Sequence, residues 1–275
     1  MIRFDHVSKR FDEGTVAVEN FDLEVESHHL VVLLGSSGCG KTTLLRMVNR
    51  MVDPSEGRVL IDDTDVATVD PVKLRRQIGY VMQSGGLLPH RTVVDNIATV
   101  PLLSGASRSA ARSRAMDLLE RVGLDSSLAR RYPTQLSGGQ RQRVGVARAL
   151  AANPDILLMD EPFGAVDPVV RAELQQGLLR IQKDLAKTIV FVTHDVDEAI
   201  FLADSNGKGE KLIVSEWCAG YLRGAAVAGW LEASLPESVA AALKLITLHG
   251  DESGSATLKA MSDAEYDAST ALLEP

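Results

Sequence analysis

Residues Gly35 to Thr43 read GSSGCGKTT, preceded by the apolar run Leu30-Val31-Val32-Leu33-Leu34 and followed by Leu44-Leu45-Arg46-Met47-Val48. The first run is too short to span a membrane and has the length of a buried strand; the second predicts a helix. A strand, a turn with Gly-x-x-x-x-Gly-Lys-Thr and a helix together make a nucleotide phosphate loop. Its glycines let the chain bend tightly and bring backbone N–H groups to an anion with no Cβ in the way. The helix that follows adds the positive end of its dipole. Residues Gly35, Ser36, Ser37, Gly38, Cys39, Gly40, Lys41, Thr42 and Thr43 are thus expected around the phosphates. Lys41 reaches the β- and γ-phosphates and Thr42 offers a hydroxyl to Mg²⁺.

The chain has 275 residues, enough for one large domain or a domain with an appendage. A hydrophobic content of 45% supports a core, and a charged content of 24% is ordinary. The net charge of −8 argues against broad nucleic-acid binding, and no nucleic-acid partner is expected. Two cysteines, Cys39 and Cys218, make no disulfide or zinc pattern, which suits a reducing cytosol. The amino end lacks the apolar stretch of a signal peptide, and no run reaches the roughly 20 residues of a spanning helix. Membrane work therefore requires a partner.

Upstream of the loop, Ile2 to Val7 and Phe21 to Val25 alternate apolar and polar residues and predict an antiparallel pair of strands. Phe11 lies between them, either packed at an edge or stacked on a base. Downstream, Arg58 to Ile61 predicts a strand, Lys73 to Arg76 a short basic helix, and Ile78 to Met82 a strand ending at Gln83. From Thr92 to about Gln135 the pattern is helical. Between Ala110 and Val122, residues Ala111, Ala115, Leu118, Leu119 and Val122 form one stripe, with arginines opposite. This block, extended to about residue 150, reads as a helical subdomain inserted into a parallel-sheet core. The alternation resumes with strands at Ile156 to Asp160 and Thr188 to Thr193, and with helices at Pro168 to Leu185 and Asp195 to Ala203.

Open parallel sheets carry ligands at the carboxyl ends of their strands. Three such ends are Gly35, Asp160 and His194. Asp160 is placed to hold Mg²⁺ directly or through water. Glu161, one residue on, points elsewhere and can act on an attacking water as general base. His194 is a candidate contact for the γ-phosphate. Leu136-Ser137-Gly138-Gly139-Gln140 opens a long helix, another anion site of N–H groups and dipole. Ser137 and Gln140 also match a capping box, which leaves Gly138 and Gly139 free to approach a phosphate.

These motifs, in this order, resemble ABC-type ATPases. Walker A (GSSGCGKTT), Gln83, LSGGQ, Walker B (ILLMDE), Gly164-Ala165-Val166-Asp167 and His194 all stand in register, over about Met1 to Asp204. The resemblance implies an α/β P-loop nucleotide-binding domain with a parallel-sheet core, amino-terminal antiparallel strands and an inserted helical subdomain. It implies ATP and Mg²⁺ as cofactors and ATP hydrolysis as the activity. Phe11 then stacks on adenine, and Gln83 touches Mg²⁺ and senses a transmembrane partner. Glu161 is the catalytic base, His194 the switch residue, and Asp167 acts across a dimer. Two copies pack head to tail, so that Ser137 to Gln140 of one close on the ATP of the other.

Within that family, RRQIGYVMQ from Arg75 to Gln83, Gly86 to His90 and Asn96 to Pro101 look like the quaternary-amine uptake subfamily. That implies an importer subunit on the inner face of the cell membrane, energising entry of an osmoprotectant such as glycine betaine, carnitine, choline or proline. Its partners are a second copy, a transmembrane permease and, indirectly, a solute-binding protein. A soluble ABC-type ATPase of DNA repair or translation is the alternative, but it usually carries a coiled-coil insertion or second cassette. A module that no longer turns over is another, against which the intact catalytic letters count.

Two stretches depart from the family. After Asp204 comes a polar linker, then Lys211 to Val214 as a possible strand and a capping-box-like Ser234 to Glu237 before the apolar run Val239 to Leu248. Residues 205–275 hold five Lys and Arg against ten Asp and Glu, so they supply −5 of the net charge. They read as an atypical tail: an accessory unit, a fusion or the product of a shifted frame. The other departure is Ser27-His28-His29, where a glycine turn is usual; a histidine pair could bind metal, but two adjacent histidines in a turn more often are simply solvated.

Overall fold

A computed structural model describes residues 1–83, 85–164, 166, 168–204 and 212–214. In chain order it shows β1 (Ile2–Arg10), β2 (Val16–Val25), β3 (Leu30–Leu34), α1 (Lys41–Val48), β4 (Glu56–Ile61), β5 (Thr64–Asp65), α2 (Pro71–Gln77) and β6 (Ile78–Val81). There follow α3 (Val93–Ile97), α4 (Thr99–Leu103), α5 (Arg108–Arg121), α6 (Gly138–Leu150), β7 (Ile156–Asp160), α7 (Pro168–Leu185), β8 (Thr188–Thr193), α8 (Val196–Asp204) and β9 (Leu212–Val214).

β3, β7 and β8 are buried along their whole length, which is why they read as unbroken apolar runs. They lie in a parallel sheet of order β6-β7-β8-β3-β9. Successive side chains point to opposite faces. Leu30, Val32 and Leu34 therefore join one core with Met159, Phe191 and the helices that interrupt the sheet. Val31 and Leu33 join another with α1, Leu158, Val192 and the amino-terminal strands. Each fully buried Val or Leu adds roughly 1.5–3 kcal/mol, so the sheet is held from both sides.

The expected antiparallel pair is present and larger than the alternation alone indicated. β1 pairs with β2 and, on its other edge, with β4, in a sheet of order β2-β1-β4-β5. The segment Arg58 to Ile61 thus belongs to this second sheet and begins at Glu56. The helical block resolves into α3, α4 and α5, closed by two single 3₁₀ turns at Ser126–Arg130 and Pro133–Gln135. The stripe expected on α5 is buried from Ala111 to Val122. Asn96 on α3 is fully buried. Its Oδ1 accepts from the Leu88 amide at 2.7 Å, and its Nδ2 donates to the carbonyls of Leu88, Arg91 and Thr92 at 3.0–3.1 Å.

Leu212–Val214, from the possible strand at Lys211 to Val214, pairs in parallel with Val32 to Leu34. Ser234 to Glu237 and Val239 to Leu248 lie outside the described residues. The Ser27-His28-His29 turn differs from a merely solvated one. His28 takes the left-handed conformation a glycine would supply, at φ 67°. Its amide donates to Thr188 Oγ1 at 2.9 Å, its carbonyl accepts from Gln182 at 3.1 Å, and its ring Nδ1 meets the Ala186 carbonyl. Those contacts hold a conformation that costs a non-glycine residue about 1–3 kcal/mol.

Candidate functional site

The phosphate loop rises from the carboxyl end of β3, where the Gly35 amide donates to the Thr193 carbonyl of neighbouring β8 at 3.3 Å. Gly35 is buried; Ser36, Ser37 and Gly38 are exposed, and Cys39, Gly40, Thr42 and Thr43 half-buried. Gly40 is the N-cap of α1 with φ 94°, and no side chain caps the helix start. The amides of the first turn therefore keep their capacity for an anion. A Cβ on Gly40 would lie 2.1 Å from the Ala17 carbonyl oxygen, so only glycine fits between loop and β2. Lys41 is 4% exposed and donates to the carbonyls of Gly35 and Ser36 at 2.7 Å each, with Cys39 Sγ at 3.4 Å.

Thr42 and Asp160, 118 positions apart in the chain, meet at the strand ends: Thr42 Oγ1 donates to Asp160 Oδ1 at 2.7 Å. A hydroxyl beside a buried carboxylate is a hard-oxygen donor set, and these residues fit Mg²⁺. Asp160 Oδ2 accepts from the Tyr80 hydroxyl at 3.2 Å. Burial, with the Asp160 charge, raises the Tyr80 pKa above 10.0 against the opposing influence of nearby Arg46, so the phenol stays protonated and donates. Asp160 ends β7, while Glu161 leaves the strand at φ 43° with its amide on the Val192 carbonyl at 3.0 Å. That kink turns the second carboxylate away from the first. Glu161 Oε2 accepts from Gln83 Nε2 at 2.9 Å and lies 3.0 Å from His194 Nδ1.

The expected residues thus fall into one group of Lys41, Thr42, Asp160, Glu161, Gln83 and His194 at adjacent strand ends, and two placed apart from it. Phe11 tips the β1–β2 hairpin, 41% exposed, with Lys9 Nζ 5.3 Å from its ring centre. The same hairpin touches the phosphate loop through Ala17 and Gly40. Ser137 caps α6: its hydroxyl accepts from the Gln140 amide at 3.2 Å, and Gln140 Oε1 accepts from the Ser137 amide at 2.9 Å. The capping box therefore forms. Gly138 and Gly139 open the helix, and a Cβ on Gly139 would strike Val170 at 2.6 Å. Asp167 lies outside the described residues.

Three residues near the site were not singled out in the sequence. Tyr80 and its neighbour Arg46 are two. The third is Arg148 near the end of α6, whose guanidinium donates to the carbonyls of Gly86 at 2.5 Å and Gly85 at 2.9 Å. It straps the loop that follows Gln83 onto the helix begun by Ser137. Burial lowers the Arg148 pKa. The available signal for Tyr80 was register: it pairs with Leu158, on the face of β7 that also carries Asp160.

Known proteins resemble this chain in sequence and in fold. The chain is 50% identical over 204 residues to the carnitine transport ATP-binding protein OpuCA of Listeria monocytogenes, covering 74% of this chain and 51% of that protein. It is 51% identical over 204 residues to the glycine betaine uptake system ATP-binding protein YehX of Escherichia coli, covering 74% and 66%. The chain thus spans about half the length of the first of these relatives and about two thirds of the second. Among solved structures, the ADP- and Pi-bound post-hydrolysis dimer of the ATP-binding cassette MJ0796 superposes with TM-score 0.68 at 35% identity, over 73% of this chain and 91% of that one. Residues 18–164 match the family described as ABC transporter, and this chain, with that family's cassette fold, belongs to it.

Proposed function

We propose that residues 1–204 form the ATP-hydrolysing unit of an importer that takes up a quaternary-amine osmoprotectant. The observation that carries this reading is the pair of carboxylates at the end of β7, each with its own partners. Asp160 faces the Thr42 hydroxyl, and Glu161 faces Gln83 and His194. The first pair suits a cation and the second a water.

ATP enters against the amides of residues 38–43, and Lys41 turns from the Gly35 and Ser36 carbonyls to the β- and γ-phosphates. Thr42 and Asp160, joined by Gln83 on leaving Glu161, would hold Mg²⁺, which would supply charge compensation to the phosphates. Glu161 takes a proton from water as the water oxygen attacks the γ-phosphorus and the bond to the β-phosphate oxygen breaks. His194 steadies the γ-phosphate and hands orientation to Glu161. Phe11 stacks on the adenine. A second copy presents Ser137, Gly138, Gly139 and Gln140 to the same nucleotide, and Asp167 acts across that interface.

No helix among the described residues is long and apolar enough to cross a membrane. Relatives named as ATP-binding proteins of transport systems support a unit that works from the cytoplasmic side, peripheral to a permease served by a solute-binding protein. The solute class rests on relatives named for carnitine and glycine betaine. The test is reconstitution of the full chain with permease and solute-binding protein in vesicles: ATP hydrolysis rises on loading with glycine betaine and drives its uptake. Absence of Mg²⁺-dependent hydrolysis by the assembled complex refutes the reading.

A further inference from the structure

Asp160 is 7% exposed, yet among the described residues it forms no ion pair. Its two oxygens are divided between two hydroxyls, Thr42 on Oδ1 at 2.7 Å and Tyr80 on Oδ2 at 3.2 Å. Neutral donors steady a carboxylate without cancelling its charge, whereas an ammonium there would compete with a cation.

The direction of the second bond is fixed, because an ionised carboxylate only accepts and the phenol must supply the hydrogen. Thr42 reaches the same carboxylate from α1, so a helix and a strand each bring one hydroxyl to Asp160. Tyr80 is delivered by β6, whose register sets it against Leu158, two residues before Asp160.

We infer that Tyr80 is a positioning residue that holds the Asp160 carboxylate for the nucleotide-bound cation. This rests on the reading of Asp160 as the cation holder. Outer hydrogen bonds to a metal's carboxylate carry about 10–100-fold in metal affinity. Tyr80→Phe removes one oxygen atom from a half-buried ring and keeps its packing.

The test is Mn²⁺ titration of the ADP-loaded full chain, followed by electron paramagnetic resonance, beside nucleotide affinity measured in EDTA. Tyr80→Phe weakens Mn²⁺ about tenfold and leaves metal-free nucleotide affinity within about twofold. Equal Mn²⁺ affinity in wild type and Tyr80→Phe overturns the inference, as does an equal loss of metal-free nucleotide binding, which marks a merely structural role. A wild type that binds ADP but no Mn²⁺ refutes the cation site itself, and this proposal with it.

Discussion

The side-chain amide of Gln83 donates to Glu161 Oε2 across 2.9 Å, to the same oxygen that faces His194. The proposed base is thus held from two sides by residues on two different strand ends. Glu161→Gln keeps the shape and removes the proton acceptor. ATP turnover falls roughly 10²–10⁴-fold, while equilibrium binding of ATP persists and the ATP-held dimer lengthens its life on a sizing column. Turnover equal to wild type assigns the base elsewhere.

Asn96→Asp is nearly isosteric, but it replaces a donor that serves three carbonyls with an acceptor. The loss is about 2–4 kcal/mol of stability, more than any change of volume accounts for. Urea unfolding measures it, and proteolysis should open first between Leu88 and Thr92. A midpoint unchanged from wild type contradicts the role given to that amide.

Gly40→Ala meets two obstacles at once, a left-handed φ of 94° and a carbonyl 2.1 Å from the new methyl. The first alone costs about 1–3 kcal/mol, and the second forces loop and β2 apart. Nucleotide affinity is expected to vanish in a chain that still folds, as read by calorimetry and circular dichroism. Gly38→Ala, whose new methyl meets nothing within 4 Å, is the milder control.

Glu198 on α8 is 4% exposed. Burial raises its pKa above the ordinary 4.5 and the Asp195 charge adds to that, outweighing hydrogen bonds from Thr193 and Gln175. A carboxyl raised on folding is held more favourably as the acid, so stability falls as pH climbs from about 4.5 through the folded value. Glu198→Gln therefore raises the melting temperature at pH 7.5 and changes it little at pH 4. Equal shifts at both pH values count against a titrating Glu198.

The parallel sheet was legible because strands buried on both faces leave continuous apolar runs, and the phosphate loop because its glycines and lysine sit between strand and helix. The β1–β4 pairing was not, since it joins Ile2 to Ile61 and no local alternation reports a partner so distant. Glu161 was read as pointing away from Asp160 simply because it is the next residue; the positive φ that achieves this came only with the structure. His28 looked like a departure because its left-handed backbone is held by Ala186, Thr188 and Gln182, more than 150 positions on. Tyr80 was silent for the same reason, as its meaning depends on which strand lies beside β6.

Arg148 gives α6 a mechanical character. Thirteen residues at about 1.5 Å each make a rod of roughly 20 Å, with Ser137 at one tip and, near the other, a guanidinium fork gripping the loop behind Gln83. The loop behind Gln83 and the Ser137 cap are thus two ends of one stiff body, so a displacement of that loop is a displacement of the cap as well.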